Sequence, residues 1–113
     1  MKLYISGDNL EEFHYETVKN IEDSELVLIL PGGLGTFADL FTAIKLKKRT
    51  ILYNQDMYYV SVIKNLYSAY TEGRIEGAPS DYLEIESDKK EIIRKLEEEK
   101  NDKINNGKTS KLL

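Results

Sequence analysis

Leu26-Val27-Leu28-Ile29-Leu30-Pro31-Gly32-Gly33-Leu34-Gly35-Thr36-Phe37-Ala38-Asp39 is the stretch that decides the fold. Its first five residues are apolar without alternation. A strand buried on both faces looks like this, and such strands sit inside parallel sheets. Pro31 and the glycines break the run. Thr36 then opens a helix with Phe37, Leu40, Phe41 and Ile44 on one side. Lys45, Lys47 and Lys48 close that helix, where the dipole is negative. A buried strand, a glycine-rich turn and an amphipathic helix make one βα unit.

Working outward, the same alternation repeats. Lys2 to Ser6 reads as a strand stopped by Gly7-Asp8. Asp8 or Asn9 caps an expected helix from Leu10, with Phe13, Val18 and Ile21 as its apolar face. Thr50-Ile51-Leu52-Tyr53 is a third strand, ended by Asn54. A helix is expected from Asp56 to Tyr70, apolar on most sides. Tyr82 to Glu86 alternates and reads as an edge strand. Asp88 with Glu91 resembles a capping box, and a last helix follows through Ile92, Ile93 and Leu96. Residues 1–100 form one domain, and 101–113 read as a polar, flexible tail. The order β-α-β-α-β-α-β-α implies an α/β fold: a parallel sheet of about four strands, helices on both faces and right-handed crossovers. Ligands in such sheets bind at the carboxyl ends of the strands, near helix N-termini.

Composition narrows the chemistry. The chain has 113 residues with 16 basic and 20 acidic side chains, a net charge of −4. That length points to one domain, and the acidic balance argues against a nucleic-acid partner, which needs clustered Lys and Arg. There is no Cys and a single His, His14, so thiolate and multi-His metal sites are excluded and no metal or cofactor is expected. No apolar run approaches the ~20 residues that span a bilayer, and the N-terminal stretch is too short for a signal peptide. The expectation is a cytoplasmic protein without a membrane partner.

One segment carries chemistry. Gly32, Gly33 and Gly35 let the backbone turn sharply and let a ligand approach the main chain. Free N–H groups at the helix start, with the dipole, make an anion site. Gly32, Gly33, Leu34, Gly35 and Thr36 are the phosphate-binding candidates, with Thr36 either capping the helix or donating its hydroxyl. Asp39 lies one turn in and can meet a sugar. The plain alternative is a glycine-rich βα turn with an acid suited to the first turn of a helix. The run is not a Walker A loop, since no Lys follows the last Gly, and it lacks the Gly-x-Gly-x-x-Gly spacing.

The run resembles the Pro-Gly-Gly-x-Gly-Thr-x-x-Glu motif of the Lonely Guy (LOG) family, phosphoribohydrolases within the SLOG group of Rossmann-like nucleotide-binding domains. The likeness continues through Arg49-Thr50-Ile51-Leu52-Tyr53-Asn54, Tyr58-Tyr59, Gly73-Arg74-Ile75 and the Tyr82 to Glu86 strand, about residues 24 to 97. It implies a minimal Rossmann-like three-layer α/β/α sandwich. There are departures. The family's Glu is Asp39 here. The family's Met-His-x-Arg-Lys segment, whose Arg takes part in catalysis, is matched by Phe13-His14-Tyr15-Glu16-Thr17. His14 is kept, but Glu16 stands at the Arg and Thr17 at the Lys. The family's N-terminal half is expected to have no counterpart.

What the resemblance implies is a module that senses or sequesters a phosphorylated ribose ligand of AMP, ADP-ribose or cyclic-ADP-ribose type. By fold-level analogy, it extends to a viral sponge for host nucleotide signals. The alternative is a LOG-like nucleoside 5'-monophosphate phosphoribohydrolase with Asp39 as the catalytic carboxylate. His14 and Asn54 are accessory candidates. A homodimer or higher oligomer is expected through Tyr59, Ile63, Leu66 and Tyr70, or through Phe37, Phe41 and Ile44, because these faces exceed what one small core covers.

Overall fold

The computed structural model describes residues 1–13 and 15–112, with the side chains of 102–112 outside that description. Four strands, β1 (Leu3–Ser6), β2 (Leu26–Ile29), β3 (Thr50–Tyr53) and β4 (Leu83–Glu86), form one parallel sheet in the order β1-β2-β3-β4. Helices α1 (Leu34–Lys45) and α2 (Val60–Thr71) make the connections after β2 and β3, and α3 (Lys89–Leu112) follows β4. The result is the expected minimal Rossmann-like α/β/α arrangement.

β2 is buried along its whole length, as its unalternated apolar residues require. Val27 and Ile29 face a core built with Leu40, Ile44, Leu52, Tyr59 and Leu66 from the α1 and α2 side. Leu26, Leu28 and Leu30 face a second core with Leu3, Phe13, Ile51, Ile92 and Leu96, on the α3 side. Alternate residues of one strand thus serve opposite layers. Ile44, Tyr59 and Leu66 are buried within the chain, whereas Phe41 and Tyr70 of the same helices stay about half exposed.

The helix expected from Leu10 to Ile21 is not formed. A single 3-10 turn, Leu10–Phe13, stands there instead. Asn9 has a left-handed backbone with φ 58°. Further on, Thr17 bridges Leu3 in parallel, and the Val18 N–H donates to the Leu3 carbonyl at 2.9 Å. β1 is an edge strand with unpaired main-chain groups, and this segment satisfies part of that edge. The edge pairing wins over a loose helical period.

Other boundaries move less. α1 starts two residues before Thr36, and Gly33 is its N-cap. A 3-10 turn at Gln55–Met57 precedes α2, with Asp56 and Met57 both left-handed, so the helix expected from Asp56 begins at Val60. Asp88 does cap α3, accepting the Lys90 N–H at 2.9 Å. Glu91 turns instead to Arg94, at 2.9 Å. On the sheet side, Lys95 of α3 reaches Glu84 at 3.1 Å and Glu86 at 2.5 Å, tying α3 to β4.

Candidate functional site

The ends of β1 and β2 are stitched together under the glycine turn. The Leu30 N–H donates to the Ser6 carbonyl at 2.8 Å, and the Asp8 N–H donates to the Pro31 carbonyl at 2.7 Å. Gly7 turns between them with φ 128°. Gly32 is buried, and a Cβ there would lie 2.3 Å from Thr36 Oγ1 and 2.8 Å from Thr36 Cβ. Its absence lets the Thr36 side chain fold down over the turn. Gly33 and Gly35 differ: a Cβ at either would meet nothing within 4 Å. The space above them is open to a ligand.

The first backbone bond of α1 runs from the Phe37 N–H to the Gly33 carbonyl, at 3.0 Å. The N–H groups of Leu34, Gly35 and Thr36 therefore precede the helical ladder. Gly33 supplies no side-chain cap, and no acid occupies the first turn. The positive end of the helix faces outward with its donors free of capping groups, which suits an anion. Leu34 contributes main chain only, since its side chain points into solvent at 85% exposure.

Aromatic residues brace the turn from the α2 side. The Tyr58 hydroxyl donates to the Gly32 carbonyl, and the Tyr58 ring stacks on Phe37 with centroids 6.4 Å apart. Tyr59 is fully buried and meets Tyr58 edge-on at 4.8 Å. Burial pushes the Tyr59 phenol up, with the neighbouring Tyr58 and Asp8 adding to it. These rings pack the turn, although half of Tyr58 remains exposed.

Asn54 belongs to the same brace. Its Oδ1 accepts the Tyr59 N–H at 2.7 Å, and its own N–H donates to the Glu86 carbonyl at 2.7 Å. It holds the entry to α2 rather than the cradle. His14, the other accessory candidate, lies outside the described residues.

Asp39 is held by two residues that sequence reading missed. Ser6 Oγ donates to Asp39 Oδ2 at 2.6 Å, and the Tyr4 hydroxyl donates to the same oxygen at 3.0 Å. Ser6 Oγ also lies 3.4 Å from Thr36 Oγ1. Burial, with the hydrogen bond to Asp39 and its charge, raises the Tyr4 phenol. Asp39 lines a recess of about 340 Å³ beside the β1 edge, with Tyr4, Lys19, Asn20 and Thr42. A second recess, about 310 Å³, opens at the carboxyl ends of β1 to β3, between Asp8, Pro31, Gln55 and Lys89. The signal for Tyr4 and Ser6 is the pair of hydroxyls at alternate positions of a short strand, which places both on one face of the sheet.

Glu16 stands where the resemblance places an Arg. It lies exposed beside Met1, Tyr15 and Lys100, and Tyr15 in turn donates to Glu97 of α3 at 2.8 Å. The position thus sits on the α3 side, whereas Asp39 belongs to the α1 side. Among the described residues, no three acids or histidines cluster as a metal site, and no helix is long and apolar enough to cross a membrane.

No family model matches the chain. Over 93 residues it is 29% identical to cytokinin riboside 5'-monophosphate phosphoribohydrolase LOG3 of Arabidopsis thaliana. The match takes in 77% of this chain and 43% of the relative. The chain is similar in sequence to a LOG phosphoribohydrolase. It spans less than half of that relative's length.

Proposed function

We propose that this chain binds a phosphorylated ribose compound of the nucleotide class, and so senses or sequesters it. Phosphate sits on the N–H groups between Gly33 and Thr36, and Asp39 accepts from ribose hydroxyls. The observation that carries this reading is the uncapped start of α1 beneath two glycines that leave the approach open. The carboxylate is assigned to the sugar because it repels phosphate but accepts from hydroxyls. The similarity to a protein named for acting on a riboside 5'-monophosphate supports the same ligand class.

Hydrolysis of the N-glycosidic bond is the second reading, favoured by the clamp that Ser6 and Tyr4 place on Asp39. In that reaction water supplies oxygen to the anomeric carbon, and the departing base takes a proton. Positive charge develops on the sugar, and Asp39 would stabilise it or direct the water. Binding is preferred because the position matching the LOG family's Arg is Glu16, on the α3 side of the sheet. The test is to titrate the chain with AMP and with ADP-ribose by calorimetry, then denature the mixture and chromatograph it. Intact ligand supports binding. Free base appearing in proportion to time and protein supports the hydrolase. No heat at two temperatures and no free base with either ligand removes both readings.

A further inference from the structure

We infer that Tyr4 and Ser6 are positioning residues that pre-set the Asp39 carboxylate for a sugar, and thereby determine the preference for a ribosyl phosphate over bare phosphate. The inference rests on the phosphate-and-ribose reading above and extends it to two residues of β1.

Both hydroxyls converge on one carboxylate oxygen, Oδ2, at 2.6 and 3.0 Å. A carboxylate can accept at both oxygens. Two donors on one of them fix its plane and leave Oδ1 for a partner from the recess that Asp39 lines with Asn20 and Thr42. A partly buried Asp on a helix otherwise samples several rotamers. Ordering it then costs free energy at the moment of binding, which weakens the complex. Here the fold has already ordered it. Ser6 is buried at 8% exposure, so water competes poorly for its hydroxyl. Tyr4 remains a donor across the physiological range, because burial and the adjacent carboxylate raise its phenol.

Ser6 also relates the two halves of the site. Its Oγ lies 3.4 Å from Thr36 Oγ1 in the first turn of α1, and 2.6 Å from Asp39 one turn further on. The same hydroxyl sets the carboxylate's place relative to the anion-binding N–H groups. A ligand that engages both must carry a phosphate and hydroxyls on one molecule, as a sugar phosphate does and inorganic phosphate does not.

The experiment measures affinities of the full chain for inorganic phosphate and for ribose 5-phosphate, in wild type, Tyr4→Phe, Ser6→Ala, the double variant and Ser6→Thr. Wild type should bind ribose 5-phosphate more tightly. The double variant should lose about tenfold of that ratio, the scale of one hydrogen bond to a charged group. The single variants should fall between, and Ser6→Thr, which keeps a hydroxyl, should recover most of the ratio. Three-bond side-chain couplings in the ligand-free protein provide a second readout. They should report one Asp39 rotamer in wild type and averaging in the double variant, a change that a merely structural tether between β1 and α1 does not require. A double variant with the full ratio and an ordered Asp39 overturns the positioning role and leaves the ligand class standing. A wild type that binds neither compound overturns the ligand class, and the positioning role with it.

Discussion

The buried Tyr59 hydroxyl donates to the Leu30 carbonyl at 2.6 Å, just before the chain enters the glycine turn. Leu30 is itself 1% exposed, so water cannot replace this donor. Tyr59→Phe keeps the ring and its contacts but leaves that carbonyl unsatisfied. It should lower stability by about 1–3 kcal/mol, the cost of an unpaired buried acceptor. Urea unfolding followed by circular dichroism reads this as a lower midpoint at unchanged slope. An unchanged midpoint would mean that the carbonyl finds another donor.

The glycines of the turn should separate into structural and functional classes. Gly32→Ala places a Cβ against Thr36 at 2.3 and 2.8 Å, so the first turn of α1 must shift, at about 1–3 kcal/mol. Gly33→Val meets no atom at Cβ, but Val caps a helix less well than Gly, so stability should fall modestly, by about 1 kcal/mol or less. Its side chain fills the approach to the helix start, so binding of AMP should be lost. Thermal melts beside calorimetric titrations decide this. A Gly33→Val protein that binds as wild type would remove the cradle.

Asp39→Asn keeps the shape of the side chain and removes its charge. If Asp39 accepts from ribose hydroxyls, AMP affinity should drop by about 1.5–3 kcal/mol, the scale of hydrogen bonds to a charged group. Binding of inorganic phosphate should not weaken, since a negative charge near it has been removed. Chromatography of the same mixtures checks turnover. Wild type releasing base while Asp39→Asn does not would establish the hydrolase reading over the binding one.

The β4–α3 seam predicts a response to pH. Glu84 is pushed up by burial, but hydrogen bonds and charge from Lys95 and Arg49 outweigh this and hold its carboxyl below the usual range. Its stabilising contribution is therefore present above the ordinary Glu value of 4.5 and is lost as pH falls through the depressed folded value. Lys95 is lowered by burial and raised more by Glu86 and Glu84, so its net direction is up. Its contribution is present below the ordinary Lys value of 10.5 and is lost as pH rises through the raised folded value. Unfolding midpoints across pH should fall at both ends. Glu84→Gln should flatten the acid side, and an acid limb identical to wild type would assign that limb to other carboxylates.

The sheet, the glycine turn and the presence of a helix after it are legible in the order of residues, although that helix begins at Leu34 rather than Thr36. Five unalternated apolar residues, Leu26 to Leu30, are stable only when covered on both faces, which demands helices in two layers. The three glycines are a signal local to the chain, but it is the packing of Thr36 that closes the space at Gly32 and leaves it open at Gly33 and Gly35. What surrounds Asp39 depends on long-range packing. Tyr4 and Ser6 lie 35 and 33 residues before it, and only the parallel pairing of β1 beside β2 brings them to α1. Long-range packing also turned Asn54 into a brace for Tyr59, and it unmade the helix expected after Leu10. There the open edge of β1 offered Thr17 and Val18 main-chain partners. Hydrogen bonds of this kind form through space between distant segments, and no local period or composition encodes which of them will meet.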